Sequence, residues 1–183
     1  MEELLEKIRD YADKAHGNQM RKYTPERYIV HPVRVMKLCR EYTDDIAVLA
    51  AALLHDVLED TPVTEQELHR FLTSVMTKED AAKTMKFVID LTDVYVKKDF
   101  PKLNRRTRKE KESERLKHID PESQTIKYAD IIANCNEIVV HDPDFAKRFL
   151  FECRANLKVM NIGNRELYQK ASDTVNACIE KTY

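Results

Sequence analysis

A chain of 183 residues with 43% hydrophobic and 34% charged residues is the size and balance of one water-soluble globular domain. Its formal charge of -1 leaves no global basic field to draw in nucleic acid, and no apolar run reaches the roughly 18–20 residues needed to cross a bilayer. The acidic, amphipathic start MEELLEKIRD is unlike a signal peptide, so a cytoplasmic protein with no membrane and no nucleic-acid partner is expected.

Only two glycines, Gly17 and Gly163, occur, and strictly alternating apolar stretches are scarce. That argues against a turn-rich β fold. Helical periodicity runs through the chain instead and predicts a compact all-α bundle of about eight to nine helices, as a single domain over residues 1–183.

In chain order, the first helix is expected over Glu2–His16, with Leu4, Leu5, Ile8, Tyr11 and Ala12 on one face. The basic loop QMRKYTPERY follows. A second helix is expected over Pro32–Glu41, with proline in the first turn, where a missing N–H is harmless. A third is expected over Asp44–Leu58, opening on Thr43, Asp44 and Asp45; its middle, IAVLAAALL, is apolar nearly all round and predicts a central, buried element. A fourth starts at Thr64, where Thr64 and Glu67 fit a capping box. The fifth covers Lys78–Leu91, and the stretch 93–104 reads as a loop or lid. The sixth, Pro101–Lys117, is highly charged. It reads first as a solvated helix laced with i,i+4 pairs, and otherwise as a basic face (Arg105, Arg106, Arg108, Lys109) turned to a polyphosphate. The seventh covers Pro121–Val140, the eighth Pro143–Asn161 with Gly163 as a left-handed cap, and the ninth Glu166–Glu180. Cys39, Cys135, Cys153 and Cys178 form no CxxC pair and read as buried thiols in a reducing compartment.

The strongest chemical signal is LLHDVLED. His55 and Asp56 follow an apolar helix, and a buried His–Asp pair calls for a partner. A divalent metal supplies one; imidazole with carboxylate suits manganese, iron or zinc. Glu59 and Asp60 add carboxylates able to orient or deprotonate a water. At the end of a long helix they would oppose the macrodipole, which argues for a role. His31, in YIVHP, opens the second helix. Asp130, in TIKYADIIANC, sits among Ile126, Ala129, Ile131 and Ile132, where a carboxylate wants a cation or several donors. Asn134 shares its face. His16, His69, His118 and His141 are not expected to be ligands.

The order H…HD…D, carried by His31, His55-Asp56 and Asp130, resembles the HD-domain superfamily of metal-dependent phosphohydrolases. AHGNQMRKYTPERYIVHP, Ala52–Asp60 and Lys127–Asn134 look like three successive blocks of the hydrolase domain of the alarmone synthetase/hydrolases; the resemblance covers roughly Met1 to Asn161, and the chain looks like the small stand-alone hydrolases of that family. The resemblance implies hydrolysis of the 3′-pyrophosphate of guanosine tetra- or pentaphosphate, usually with one manganese ion. It implies that His31, His55, Asp56 and Asp130 bind the metal, that Glu59 and Asp60 activate the water, and that Arg21, Lys22, Thr92 and Asn134 contact the nucleotide or the metal-site network. The planar fork of arginine and the point charge of lysine suit those contacts.

There are three departures from the family pattern: Ile131 where the family often has Lys or Arg, Tyr23-Thr24-Pro25 in a loop one residue longer, and no clear tyrosine near Phe149–Phe151; the first and third bear on guanine recognition more than on metal binding. Tyr128 also replaces a family leucine. Two alternatives stay open at this point: a metal-dependent hydrolase of another nucleotide or of a phosphorylated dinucleotide cofactor, and a catalytically silent nucleotide-sensing module. A homo-oligomer is compatible with all three.

Overall fold

The structure, a computed structural model, describes residues 1–182. Among them are ten α-helices and no strand; a single antiparallel bridge joins Met20 and Arg27. Proximity along the backbone divides the chain into two compact units, one covering Met1–Thr92 and the other beginning at Asp93. No helix among the described residues is long and apolar enough to cross a membrane.

The first unit holds α1 (Glu2–His16), α2 (Val30–Arg40), α3 (Ile46–Leu54), α4 (Val57–Asp60), α5 (Glu65–Val75) and α6 (Lys78–Leu91). The hub is α3, which packs against α1, α2 and α6. Its sequence explains that place: every residue from Ala47 to Leu54 is buried, and the four alanines let neighbouring backbones approach. Asp45 starts it by accepting from Ala47 N at 2.8 Å. The expected capping box is present at the head of α5, with Thr64 and Glu67 each satisfying the other's backbone N–H.

The predicted third helix is not continuous. It stops at Leu54, turns through His55 and Asp56, and restarts as the four-residue α4. Asp56, at φ -97° and ψ -4°, has left helical geometry and becomes the N-cap residue of α4. A long apolar run gives no local sign of such a break, so periodicity alone reads through it. Helix starts shift too: α2 begins two residues before Pro32, and α7 begins at Arg105, where Asn104 caps it by accepting from Thr107 N at 2.9 Å.

The second unit holds α7 (Arg105–Leu116), α8 (Pro121–His141), α9 (Pro143–Val159) and α10 (Arg165–Lys181). The long α8 packs against both α9 and α10, and α7 packs against α9. Gly163 does not form a left-handed cap; among the described residues only Gly17 has positive φ, 56°, and it ends α1. A close approach is what requires glycine at 163. A Cβ there would lie 2.8 Å from Tyr128 Cε2 and 2.9 Å from Pro121 O and Thr125 N. Tyr128 is fully buried, and its hydroxyl reaches Met160 O at 2.9 Å and Gln124 Oε1 at 3.1 Å. Burial pushes its phenol up to about 12. The tyrosine that stands in place of the family leucine therefore ties α8 to the α9–α10 connection, and Gly163 makes the room. All four cysteines are buried thiols.

Candidate metal centre

Three of the four expected ligands come together in the first unit. One ligand atom each from His31, His55 and Asp56 lies within 4.8 Å of the other two. The helix break is what permits this. His31 is held on the first turn of α2, its N–H bonded to Tyr28 O at 2.9 Å, while the turn at 55–56 swings two adjacent side chains to one side. Both histidines are almost wholly buried.

The electrostatics fit a cation. His55 Nδ1 lies 2.8 Å from Ala52 O. A carbonyl only accepts, so Nδ1 carries the proton and Nε2 presents its lone pair. That Nε2 lies 2.9 Å from Asp56 Oδ2, and His31 Nε2 lies 3.7 Å from the same oxygen. A lone pair and a carboxylate oxygen this close repel unless a positive charge stands between them. A buried donor set of two imidazoles and one carboxylate suits a first-row divalent ion. Outer partners are present as well: the Ala52 carbonyl fixes the His55 tautomer, and Tyr28 donates its hydroxyl to Asp56 Oδ2 at 2.6 Å. Tyr28 in turn touches the His16 ring, 4.5 Å between centroids, and the Arg21 guanidinium, 5.5 Å from its ring.

Asp130 belongs to the second unit. Its carboxylate, 7% exposed, accepts from Lys127 Nζ at 2.9 Å and from Asn134 Nδ2 at 2.6 Å. Helical spacing of three and four residues puts all three side chains on one face of α8. Asn134 thus orients Asp130. Ile131, 3% exposed, is part of the α8 core.

Glu59 and Asp60 are exposed, and they occupy the first turn of α4 rather than the end of a long helix. The macrodipole no longer argues for their role. Asp60 Oδ2 accepts from Gln19 Nε2 at 3.1 Å. The loop carrying Arg21 and Lys22 folds back on itself through Arg21 N to Glu26 O and Tyr28 N to Gln19 O. Lys22 is exposed, with Nζ 2.7 Å from the Tyr23 hydroxyl. Thr92 ends α6 and turns its hydroxyl onto Val88 O at 2.9 Å.

The stretch after Thr92 is fastened within the second unit. Glu112, 3% exposed, accepts from the backbone N–H groups of Val94 and Tyr95, each at 3.1 Å, and from Arg115 at 2.7 Å. Burial alone would raise the Asp93 carboxyl, but Lys127, Lys109 and Arg115 outweigh it and hold it below the usual carboxylate range. Lys109 bonds Asp93 at 2.9 Å. The rest of the basic half of α7 is likewise engaged inside its unit: Arg105 forms a bidentate pair with Glu152, Arg106 pairs with Glu110, and Arg108 donates to Leu103 O. A groove of about 930 Å³ runs along α7 and α9 with Phe151 and Arg148 on its wall.

Several contributors escape a ligand-first reading of the sequence: Tyr28 behind Asp56, Gln19 and His16 behind Asp60, and Lys127 behind Asp130. The signal available for Lys127 was its i-3 spacing from Asp130; His16, Gln19 and Tyr28 lay inside the quoted loop motif without any spacing that assigns them a partner.

The HD-domain model matches residues 28–135, more than half of the chain. The protein belongs to the HD-domain family. It is similar to the human (Homo sapiens) protein named guanosine-3′,5′-bis(diphosphate) 3′-pyrophosphohydrolase MESH1, with 36% identity over 142 residues, covering 74% of this chain and 69% of that one. It is 34% identical over 147 residues to a Vibrio cholerae protein named guanosine-3′,5′-bis(diphosphate) 3′-pyrophosphohydrolase, covering 77% of this chain and 19% of that one. Among solved structures, a metazoan ortholog of SpoT described as hydrolysing ppGpp matches with a TM-score of 0.77 and 22% identity, covering 95% of this chain and 94% of the other. That likeness shows the all-helical HD-domain fold.

Proposed function

We propose that this protein is a metal-dependent hydrolase that removes the 3′-pyrophosphate of guanosine tetra- or pentaphosphate, giving GDP or GTP and pyrophosphate. The observation that carries the reading is the buried His31–His55–Asp56 group, in which acceptor atoms face one another across a gap that a divalent ion fills. The likeness to the human pyrophosphohydrolase over about three quarters of the chain supplies the substrate class. The HD-domain match spans residues 28–135 and so includes parts of both units, which supports reading the whole chain, 1–183, as one hydrolase domain.

In this reading His31, His55 and Asp56 hold the ion, and the family motif adds Asp130, with Lys127 and Asn134 orienting its carboxylate. Manganese is the expected ion. When bound, it supplies a Lewis acid toward a phosphoryl oxygen and lowers the pKa of water beside it. The chain's own residues do the rest. Glu59 and Asp60 orient the attacking water and take its proton. The water oxygen bonds to the phosphorus next to the ribose. The bond from that phosphorus to the 3′-oxygen breaks, and the 3′-oxygen leaves with a proton as the ribose hydroxyl. Arg21 and Lys22 meet the phosphates, Arg21 from a guanidinium already placed over Tyr28. Thr92 contributes a nucleotide contact. The protein works in the cytoplasm on a small-molecule substrate, without nucleic acid or membrane.

The test is incubation with guanosine tetraphosphate and manganese, with products identified. GDP and pyrophosphate in equal amounts, abolished by a chelator and by Glu59→Gln, are expected. Release of orthophosphate, or turnover of a phosphorylated nicotinamide cofactor alone, would sink the substrate assignment. Nucleotide binding without turnover would instead make the protein a sensor.

A further inference from the structure

Asp60 sits on a four-residue helix and is exposed, so nothing in α4 itself fixes the direction of its carboxylate. Its partner comes from the loop after α1. Gln19 Nε2 donates to Asp60 Oδ2 at 3.1 Å, and Gln19 Oε1 lies 2.8 Å from His16 Nδ1. Chemistry settles the direction of both bonds. A carboxylate only accepts, so the amide nitrogen faces Asp60; the amide oxygen then faces His16, and Nδ1 must carry the proton. With the amide reversed, its carbonyl oxygen would oppose the carboxylate. His16 therefore decides which end of Gln19 is offered to Asp60.

His16 is built to stay where it is. It is the last residue of α1, 7% exposed, with its ring packed against Tyr28. The left-handed Gly17 turns the chain so that Gln19 N reaches His16 O at 3.0 Å, and Tyr28 N reaches Gln19 O at 3.0 Å. The other imidazole nitrogen, Nε2, is buried without a partner. A phenylalanine would fill this position without burying an unsatisfied polar atom, so packing alone does not explain the imidazole. What only the imidazole provides is the proton on Nδ1 that orients Gln19.

We propose that Gln19, oriented by His16, is a positioning residue that holds Asp60 in the direction needed to receive the proton of the attacking water. This rests on the hydrolase reading above, with Asp60 in the water-activating pair. Neither residue touches the reacting atoms; both act through Asp60.

The experiment uses the full chain loaded with manganese and guanosine tetraphosphate as substrate. Gln19→Leu and His16→Phe each lower kcat by about 10- to 100-fold, the range for outer-sphere support of a metal site, with KM, manganese affinity and melting temperature unchanged. In an Asp60→Asn background, Gln19→Leu lowers kcat no further, because the carboxylate whose direction it sets is no longer there to take the proton. A second readout needs no turnover. In metal-free protein the side-chain amide signal of Gln19, assigned by its loss in Gln19→Leu, stands away from free-amide shifts, moves in Asp60→Asn and collapses toward the free position in His16→Phe. Undiminished kcat in Gln19→Leu, a fully additive loss in the double variant, or free-amide shifts in the wild type would overturn the proposal while Asp60→Asn keeps its lowered, measurable kcat. Full activity in Asp60→Asn would overturn the catalytic assignment of Asp60 and the positioning role with it.

Discussion

The two units treat their carboxylates in opposite ways. In the first, Asp56 faces two imidazole nitrogens and a phenol, the nearest imidazole presenting a lone pair at 2.9 Å. In the second, Asp93 is met by the ammonium group of Lys109, and Glu112 by the Arg115 guanidinium. A carboxylate whose counter-charge comes from its own unit is a structural part: removing it leaves a half-buried cation unpaired. A carboxylate grouped with two imidazole nitrogens belongs instead to a donor set that suits a divalent cation. The contrast separates a site for chemistry from a clamp, although the same residue type serves both.

The comparison predicts opposite consequences for similar substitutions. Asp56→Asn keeps the shape and the Tyr28 partner, so the metal-free melting temperature should hardly move. Manganese binding and hydrolysis should be lost, by at least about 10³-fold, the several kcal/mol that a metal's charge stabilisation is worth. Isothermal titration with manganese and initial-rate assays check this, and a folded, active Asp56→Asn protein would break the comparison at its strongest point.

Asp93→Asn should do the reverse, costing about 2 kcal/mol of stability, within the range for a hydrogen bond between charged groups. Its pH dependence has a definite sign. Asp93 is held below the usual carboxylate range in the folded protein, so its contribution is full above the unfolded value and fades as pH falls through the folded one. The stability gap between wild type and Asp93→Asn should therefore be widest near neutral pH and close in acid, as read by urea denaturation across pH. A gap that widens in acid contradicts the clamp.

Gly163→Ala probes the second unit where no charge is involved. A methyl group 2.8–2.9 Å from Tyr128 Cε2, Pro121 O and Thr125 N should cost about 1–3 kcal/mol, the usual range for overpacking. Pairing it with Tyr128→Leu, the family residue, should recover part of that loss by thermal denaturation. Tyr28→Phe returns to the first unit with a smaller effect. Loss of one outer hydrogen bond to Asp56 should weaken manganese about tenfold without changing the fold. Smallest of all, Arg106→Ala removes an exposed i,i+4 pair with Glu110 and should leave the melting temperature unchanged.

Much of this was legible in the chain itself. Helices α1 and α6 follow from periodicity, the Thr64–Glu67 box from local hydrogen-bond chemistry, and the buried α3 from an apolar run with no polar face. The candidate ligands were legible because histidine and aspartate are expensive in apolar surroundings, which makes LLHD and YADII conspicuous. Other features needed the third dimension. The break at His55–Asp56 follows no propensity rule; it has to be seen in the backbone. It also overturned the macrodipole argument for Glu59 and Asp60. Gly163 was read as a cap because local sequence permits it, whereas contact with Tyr128, far along the chain, is what requires it. The basic half of α7, open in the sequence to a polyphosphate role, is taken up by Glu152, Glu110 and Asp93.

By itself, then, the sequence determined the helical class, the candidate metal-seeking residues and the family, because each rests on local periodicity or on residue types too costly to bury without purpose. The tertiary structure decided which groups meet: His31 with His55 and Asp56, Gln19 with Asp60, Lys127 with Asp130. Those meetings depend on helix ends, turns and side-chain directions set by packing across many residues, and no short window of sequence carries that information.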